Sequence, residues 1–335
     1  MNVLNSILAA SALAFTANTA VADEHGHWIA DFDVAVEMAK TQNKDLLVDF
    51  TGSDWCGWCI KLHEEVFDHD AFLKPAMEKY ILVALDFPQD EAIKALVPNP
   101  ERNAELQEKY AIQGFPTILL MNANGEVFGR TGYRPDGPES YIAHMAELAS
   151  KGKPAIAAAK QLIAELKGSD EMGRVAVLEK VIAKVQELGP DSAPAAILIP
   201  TVKMAIEKDA DNAKGLKLKG IKALLMAQAA DEAHLSAARE FDPKNEKGLY
   251  ELAVIAQFSM VRTDVMALAA VDALKGLQNP KDKAEVAMLF GTAARWSAGP
   301  LKDLPAAKQF AQKAIDMGLS DERLLGALEG ILAQE

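Results

Sequence analysis

The sequence predicts an α/β unit followed by an all-α unit, and three observations lead there. Between residues 30 and 150, short β-prone runs alternate with stretches of helical spacing. Beyond about residue 155, Ala, Leu, Lys and Glu dominate with helical periodicity and hardly any strand signal. In that second half, Asp209-Ala-Asp-Asn212-Ala-Lys-Gly215-Leu216 recurs as Asp242-Pro-Lys-Asn245-Glu-Lys-Gly248-Leu249, 33 residues later. A chain of 335 residues, half of them hydrophobic and a quarter charged, is long enough for two such domains.

The elements follow in order. Residues 1–22 read as a secretory signal: Ile7 to Phe15 are apolar, and Ala20-Val21-Ala22 offers small residues for cleavage. Met1 to Ser6 carry no Lys or Arg, so the positive n-region rests on the terminal amine. Asp33 is placed to cap a helix running to about Asn43. Leu46 to Phe50 is a short buried strand, and a helix follows through Phe67 with Leu62, Val66 and Phe67 at helical spacing. Tyr80 to Asp86 is the second strand. The polar stretch from Asp86 to Tyr110, with Pro88, Pro98 and Pro100, exceeds the usual strand-to-helix link of about 2–6 residues and has room for a short helix at the rim of the site. Thr117 to Met121 and Glu126 to Arg130 form a hairpin over Asn124-Gly125, and Tyr141 to Leu148 closes the half as a helix. Lys151-Gly152-Lys153-Pro154 marks a junction, giving a first domain of 23–150 and a second of 151–335.

The net charge is −13. Residues 23–150 hold 10 Lys/Arg against 23 Asp/Glu, whereas residues 151–335 hold 25 of each. Such a balance disfavours nucleic acid and anionic membrane surfaces as partners. No apolar stretch after the N-terminus reaches the ~18 residues that span a bilayer. The expected location is the periplasm or the exterior.

The chain has only two cysteines, three apart. Exported proteins usually use cysteines to cross-link distant segments; Cys56 and Cys59 are too close for that, so their value is local. In Trp55-Cys56-Gly57-Trp58-Cys59 the pair follows a strand and opens a helix. A thiol there faces unpaired N–H groups and the positive end of the helix dipole, which favour thiolate. Cys56 is then the exposed nucleophile, and Cys59, one turn inside, attacks the mixed disulfide that Cys56 forms.

This region resembles the thioredoxin family over roughly residues 30–150. Leu47-Val48-Asp49-Phe50 is similar to the strand before the thioredoxin site, whose buried Asp assists proton transfer at the inner Cys. One more residue separates Asp49 from Cys56 here. Tyr110-Ala-Ile-Gln-Gly114-Phe115-Pro116-Thr117 resembles the segment with the family's cis-proline; sequence alone favours trans, since only about 5–6% of X–Pro bonds are cis. Asn124-Gly125-Glu126-Val127 is similar to the following hairpin, and Gly132 to the glycine ending it. The resemblance implies a central mixed sheet with flanking helices, Asp49 as proton relay, and Pro116 with the Phe115 backbone against an extended client strand. Trp55, Gly57 and Trp58 complete the client-binding face. Trp58 stands where thioredoxin has Pro, which restores an N–H near the sulfurs. No His lies between the cysteines, and Asp49, Asp54, Glu64 and Glu65 raise the Cys56 pKa. Reduction of protein disulfides is the expected direction, with an upstream thiol donor, membrane-embedded by analogy with other exported members. The second half resembles a degenerate tetratricopeptide-like array over 155–335.

Other readings compete. His63, four residues after Cys59, faces the same side of a helix, but a structural zinc site wants four ligands. Haem attachment needs a His at position 60, where Ile60 stands. No metal and no cofactor beyond a Cys56–Cys59 disulfide is therefore expected. Lys61 is placed to pair with Asp49 or Glu65, Phe115 faces either client or core, and His25 with His27 reads as a tail. Lys214, Lys217, Lys219 and Lys222 form a basic run that is either a solvated face or a docking surface for the acidic half. A protein-binding scaffold with little turnover, and a disulfide isomerase or oxidant, are the alternative functions.

Overall fold

The computed structural model describes residues 27–190 and 192–334. The signal segment 1–22 and His25 lie outside the described residues. The chain divides into two compact units between Ala149 and Ser150.

In the first unit, β1 (Trp28–Ile29), β2 (Asp45–Thr51), β3 (Tyr80–Asp86), β4 (Thr117–Met121) and β5 (Val127–Thr131) form one mixed sheet in the order β1-β3-β2-β4-β5. β1 and β2 run parallel to β3, while β4 is antiparallel to both β2 and β5. The central strand is β2, whose Asp49 stands level with Ala84 on β3 and Ile118 on β4. Side chains alternate across a strand. Leu46, Val48 and Phe50 accordingly pack on one face with Phe32, Ala35, Ala39 and Leu106, and Leu47, Asp49 and Thr51 point to the other. Phe67, Phe72 and Tyr141 are fully buried beyond the sheet, with ring centroids 4.6 and 5.4 Å from Phe67. Each such side chain contributes about 1.5–3 kcal/mol by leaving water.

The helices are α1 (Phe32–Gln42), α2 (Gly57–Leu62), α3 (Asp70–Lys79), α4 (Glu91–Lys94), α5 (Pro100–Lys109) and α6 (Gly137–Gly168). α1 starts two residues earlier than the Asp33 cap implies, because the Asp31 carboxylate accepts the N–H groups of Asp33 and Val34 at 2.9 and 3.0 Å. The helix expected through Phe67 changes character at His63, where it widens into a π-helical turn over His63–Phe67. Its signature is the Asp68 N–H donating to the His63 carbonyl. The stretch after Asp86 holds two helices, α4 and α5. The Asn124-Gly125 turn closes with Gly125 at φ +76° and the Asn122 side chain accepting from Asn124 and Glu126.

α6 does not stop at Leu148. It continues through Lys151-Gly152-Lys153-Pro154 to Gly168, since the flanking residues keep helical spacing and proline costs only its own N–H and the carbonyl it abuts.

The second unit is all helical among the described residues: α7 (Glu171–Leu188), α8 (Ile199–Lys208), α9 (Leu216–Met226), α10 (Glu232–Phe241), α11 (Leu249–Ser259), α12 (Asp264–Lys275), α13 (Lys283–Ala298), α14 (Leu304–Asp316) and α15 (Glu322–Leu332). The sequence repeat is a repeated loop. Asp209 accepts the N–H groups of Lys214, Leu216 and Lys217, and Asp242 those of Glu246, Lys247 and Leu249. Asn212, Gly215, Asn245 and Gly248 take left-handed φ of 58°, 74°, 54° and 77°. Each buried carboxylate thereby ties N–H groups of the loop to the first free donors of the next helix, Leu216 and Lys217 in one repeat and Leu249 in the other. Ala293, Ala307, Phe310, Ala311 and Ala314 are buried in one core, with Trp296 and Ala306 packed against it. In the basic run, the Lys219 ammonium pairs with Glu179 and that of Lys217 lies 5.5 Å from the Phe241 ring centre.

Candidate active site

β2 ends at Thr51, and the chain turns through Gly52 to Trp55 before α2 begins. The residue separating this turn from the thioredoxin pattern is absorbed without slack. The Cys56 N–H donates to the Gly52 carbonyl at 2.9 Å. Asp86 accepts from the Ser53 N–H and hydroxyl at 2.9 and 2.6 Å, and Asp54 accepts from the N–H groups of Gln89 and Asp90. Burial opposes the Asp54 charge, but those N–H groups outweigh it and hold its carboxyl below the usual range. The indole of Trp55 donates to the Phe87 carbonyl at 2.8 Å. A Cβ on Gly52 would sit 2.6 Å from that indole, so only glycine lets the ring lie there.

Cys56 and Cys59 are joined by a disulfide, with Cα atoms 5.2 Å apart. Cys56 occupies the N-cap position of α2, and its sulfur accepts the Cys59 N–H at 3.2 Å. Cys56 is 6% exposed and Cys59 1%. Cys56, expected at the surface, is buried like Cys59, because the disulfide sits beneath its neighbours. Those neighbours carry the surface: Trp55 is 43% exposed and Trp58 58%. Gly57 is exposed, with no other group within 4 Å of where its Cβ would be.

Two aromatic groups flank the motif. Trp55 meets Phe115 edge-on at 5.8 Å, and Phe115 lies 5.2 Å from Phe87. Phe115 is half-buried, so it serves packing and surface together. The Phe115–Pro116 peptide is cis, and Gly132 lies against the Pro116 carbonyl. On the other flank, Trp58 is 4.9 Å from Tyr133, whose hydroxyl donates to Glu65 at 2.6 Å. Lys61 sits 5.3 Å from both ring centres and 3.5 Å from Glu65, and its partner is not Asp49.

Asp49 is completely buried, and its partner is His63: Nε2 lies 3.0 Å from Oδ2. Its other oxygen, Oδ1, has no hydrogen-bond partner among the described residues. The His63 N–H donates to the Cys59 carbonyl, which puts Cys59 and His63 on one helical face, the face turned to Asp49. Burial pushes the Asp49 carboxyl upward, opposed by His63. For His63, burial disfavours the charge, but the Asp49 carboxylate, with Asp68 behind it, outweighs burial and raises the pKa. Each group thus holds its proton to higher pH than it would in water. The sequence pointed to His63 only as a weak metal ligand. Its i+4 spacing from Cys59 was the available signal; the carboxylate 14 residues upstream on a strand was not visible as its partner.

A groove of about 590 Å3 reaches the inner cysteine, lined by Trp28, Cys59 and His63 together with Ile93, Leu96 and Val97. The stretch between Asp86 and Tyr110 therefore does rim the site. Among the described residues no group of three His, Cys, Asp or Glu is placed to hold a metal ion.

Residues 32–149 match the family model described as a thioredoxin-like domain. The chain is 36% identical over 110 residues to the disulfide bond reductase DsbH of Chlamydia pneumoniae, covering 32% of this chain and 64% of that protein. It thus spans slightly less than two thirds of that relative's length. Over 112 residues it is 30% identical to an H-type thioredoxin of Oryza sativa subsp. indica, covering 33% of this chain and 77% of the relative. A solved structure titled DsbH oxidoreductase shares 30% identity over 37% of this chain and 83% of its own, with a TM-score of 0.33. With the disulfide capping α2, the central strand carrying Asp49 and a matched family model and thioredoxin relative, the chain belongs to the thioredoxin-like family.

Proposed function

We propose that the protein is an exported thiol–disulfide oxidoreductase that reduces disulfides in client proteins. The observation that carries the reading is the Cys56–Cys59 disulfide at the N-terminus of α2, its outer sulfur already accepting a backbone N–H. That bond and the helix dipole stabilise negative charge on Cys56 once the disulfide opens. Thiolate Cys56 attacks a client disulfide and displaces one client sulfur. Cys59 gives its proton to Asp49, attacks Cys56, and releases the second client sulfur. The exposed faces of Trp55 and Trp58, with Gly57 between them, receive the client, and Phe115 and Pro116 present backbone to it.

The reducing direction is supported by the acidic groups around the motif, which disfavour accumulating thiolate, and by the similarity to a disulfide bond reductase of Chlamydia pneumoniae. An upstream thiol donor must restore the dithiol after each cycle. A location outside the cytosol fits the apolar N-terminal segment and the use of both cysteines in a disulfide. No helix among the described residues is long and apolar enough to cross a membrane.

Insulin-disulfide reduction in the presence of dithiothreitol is the direct assay: wild type accelerates it and Cys56→Ser does not. Equal rates in the two would end the reading. Titration of the pair against glutathione sets direction. The proposal expects a potential nearer thioredoxin, about −270 mV, than the strong periplasmic oxidant, about −120 mV. A value at the oxidising end would replace reductase by oxidant.

A further inference from the structure

We propose that His63 and Asp68 form the outward half of a proton path, carrying the Asp49 proton between the buried dithiol and the groove. This rests on the dithiol reading, because Asp49 has a proton to move only if Cys59 cycles between thiol and disulfide.

Asp49 has no contact with solvent of its own. A carboxylate enclosed in this way can return an accepted proton to its donor or pass it to a neighbour, and His63 is the neighbour bonded to it. The imidazole presents a nitrogen on each side. Nε2 meets Asp49 at 3.0 Å, and Nδ1 lies 3.5 Å from the carboxylate of Asp68. The His63 side chain is 26% exposed and that of Asp68 46%, so the sequence Asp49, His63, Asp68 runs from complete burial to water. Trp28 at 5.5 Å and Phe67 at 5.2 Å, the latter edge-on, hold the ring in this orientation.

The charged groups around the ring favour cation transit. Asp49 faces it from β2 and Asp68 from the end of the π-helical turn; Asp86 at the end of β3 and Glu64 line the same groove. No Lys or Arg lines that groove among the described residues. The raised His63 pKa accords with this field.

The step balances. The Cys59 S–H proton goes to Asp49, and the Cys59 electron pair forms the Cys56–Cys59 bond as the mixed disulfide breaks. The client sulfur leaves as thiolate and takes a proton from water. Asp49 passes its proton to Nε2 of His63 while the Nδ1 proton departs past Asp68, leaving a neutral ring protonated on Nε2. The reverse transfer, when the upstream thiol donor restores the dithiol and Cys59 regains its proton, returns the ring to the Nδ1–H form. Two electrons have moved from the dithiol to the client. His63 is a positioning and relay residue, acting through Asp49.

The reaction of the reduced full-length chain with 5,5′-dithiobis(2-nitrobenzoate) separates the two sulfur steps. Attack by Cys56 releases one thionitrobenzoate, and resolution by Cys59 releases the second. His63→Gln retains a hydrogen-bonding group for Asp49 but cannot carry a proton through. Its second phase should slow by about tenfold at pH 6–7, less than the ~100-fold or more typical of a general acid–base group because water reaches the groove, with the first phase unchanged within about twofold. The deficit should close toward pH 9, where solvent deprotonates Cys59. Added imidazole should accelerate the second phase of His63→Ala but not of wild type, and Asp68→Asn should give an intermediate rate. A second phase in His63→Gln matching wild type from pH 5.5 to 8.5 overturns the path. Equal slowing of both phases without imidazole rescue overturns it too, since that marks a structural role. If wild type itself shows no two-step release, and Cys56→Ser behaves identically, the dithiol reading falls instead.

Discussion

Replacing Asp49 by Ala should stabilise the first unit while slowing its chemistry. The carboxylate is completely buried and one of its oxygens has no partner, which by itself costs about 1–3 kcal/mol. The hydrogen bond to His63 offsets part of this, but that side chain is 26% exposed and regains water when Asp49 is removed. The variant also leaves a small void worth about 1 kcal/mol. The balance is a gain of about 1–2 kcal/mol near pH 7, each kcal/mol being about 4 °C in Tm for a unit of this size. The pH dependence has a definite sign. Burial raises the Asp49 pKa above 3.8, and the neighbouring carboxylates raise that of His63 above 6.5 against the opposing effect of burial. In both cases the folded chain keeps a proton that the unfolded chain has lost, so the pair's contribution is complete below pH 3.8 and declines as pH rises through each window. Asp49→Ala lacks the first decline and most of the second, and its advantage grows as pH rises above 3.8 and again above 6.5. Urea titrations followed by tryptophan fluorescence, in a Trp296→Phe background so that Trp28, Trp55 and Trp58 alone report, measure it. A variant less stable than wild type by more than about 1 kcal/mol at pH 7, or an advantage that shrinks with rising pH, refutes the reasoning.

Two further substitutions test other parts of the structure. Gly52→Ala places a Cβ 2.6 Å from the Trp55 indole, which is anchored to the Phe87 carbonyl; the expected cost is about 1–3 kcal/mol, with a shift in indole emission, and an unchanged spectrum contradicts the packing. Asp209→Ala and Asp242→Ala each strand three N–H groups in the repeated loop and the first residues of the helix after it, and should each cost about 1–3 kcal/mol in the second unit, read by far-UV circular dichroism in urea. A double variant as stable as wild type would show that the repeated loops do not depend on these carboxylates.

Much of the first unit is legible because its signals are local. Tyr80–Asp86 and Thr117–Met121 are strands at the bounds their β-branched and apolar runs imply, and Asn124-Gly125 turns where its backbone freedom allows. Trp28–Ile29 is too short a run to read as a strand, and it pairs with β3 only because α1 returns the chain to that edge. α3 was hidden by Pro75 within it, and the persistence of α6 past Pro154 depends on neighbours rather than on the proline.

The two thiols, their spacing of three, and their position between a strand and a helix follow from the order of residues alone, since one helical turn is enough to bring such a pair together. What stands behind them does not. Asp49 and His63 meet because β2 lies at the centre of the sheet with α2 across its face, and the groove exists because α4 and α5 fold back toward Cys59. Contacts within a turn are fixed by backbone geometry. Contacts between segments are fixed by which apolar faces bury together, and only the assembled core makes that choice.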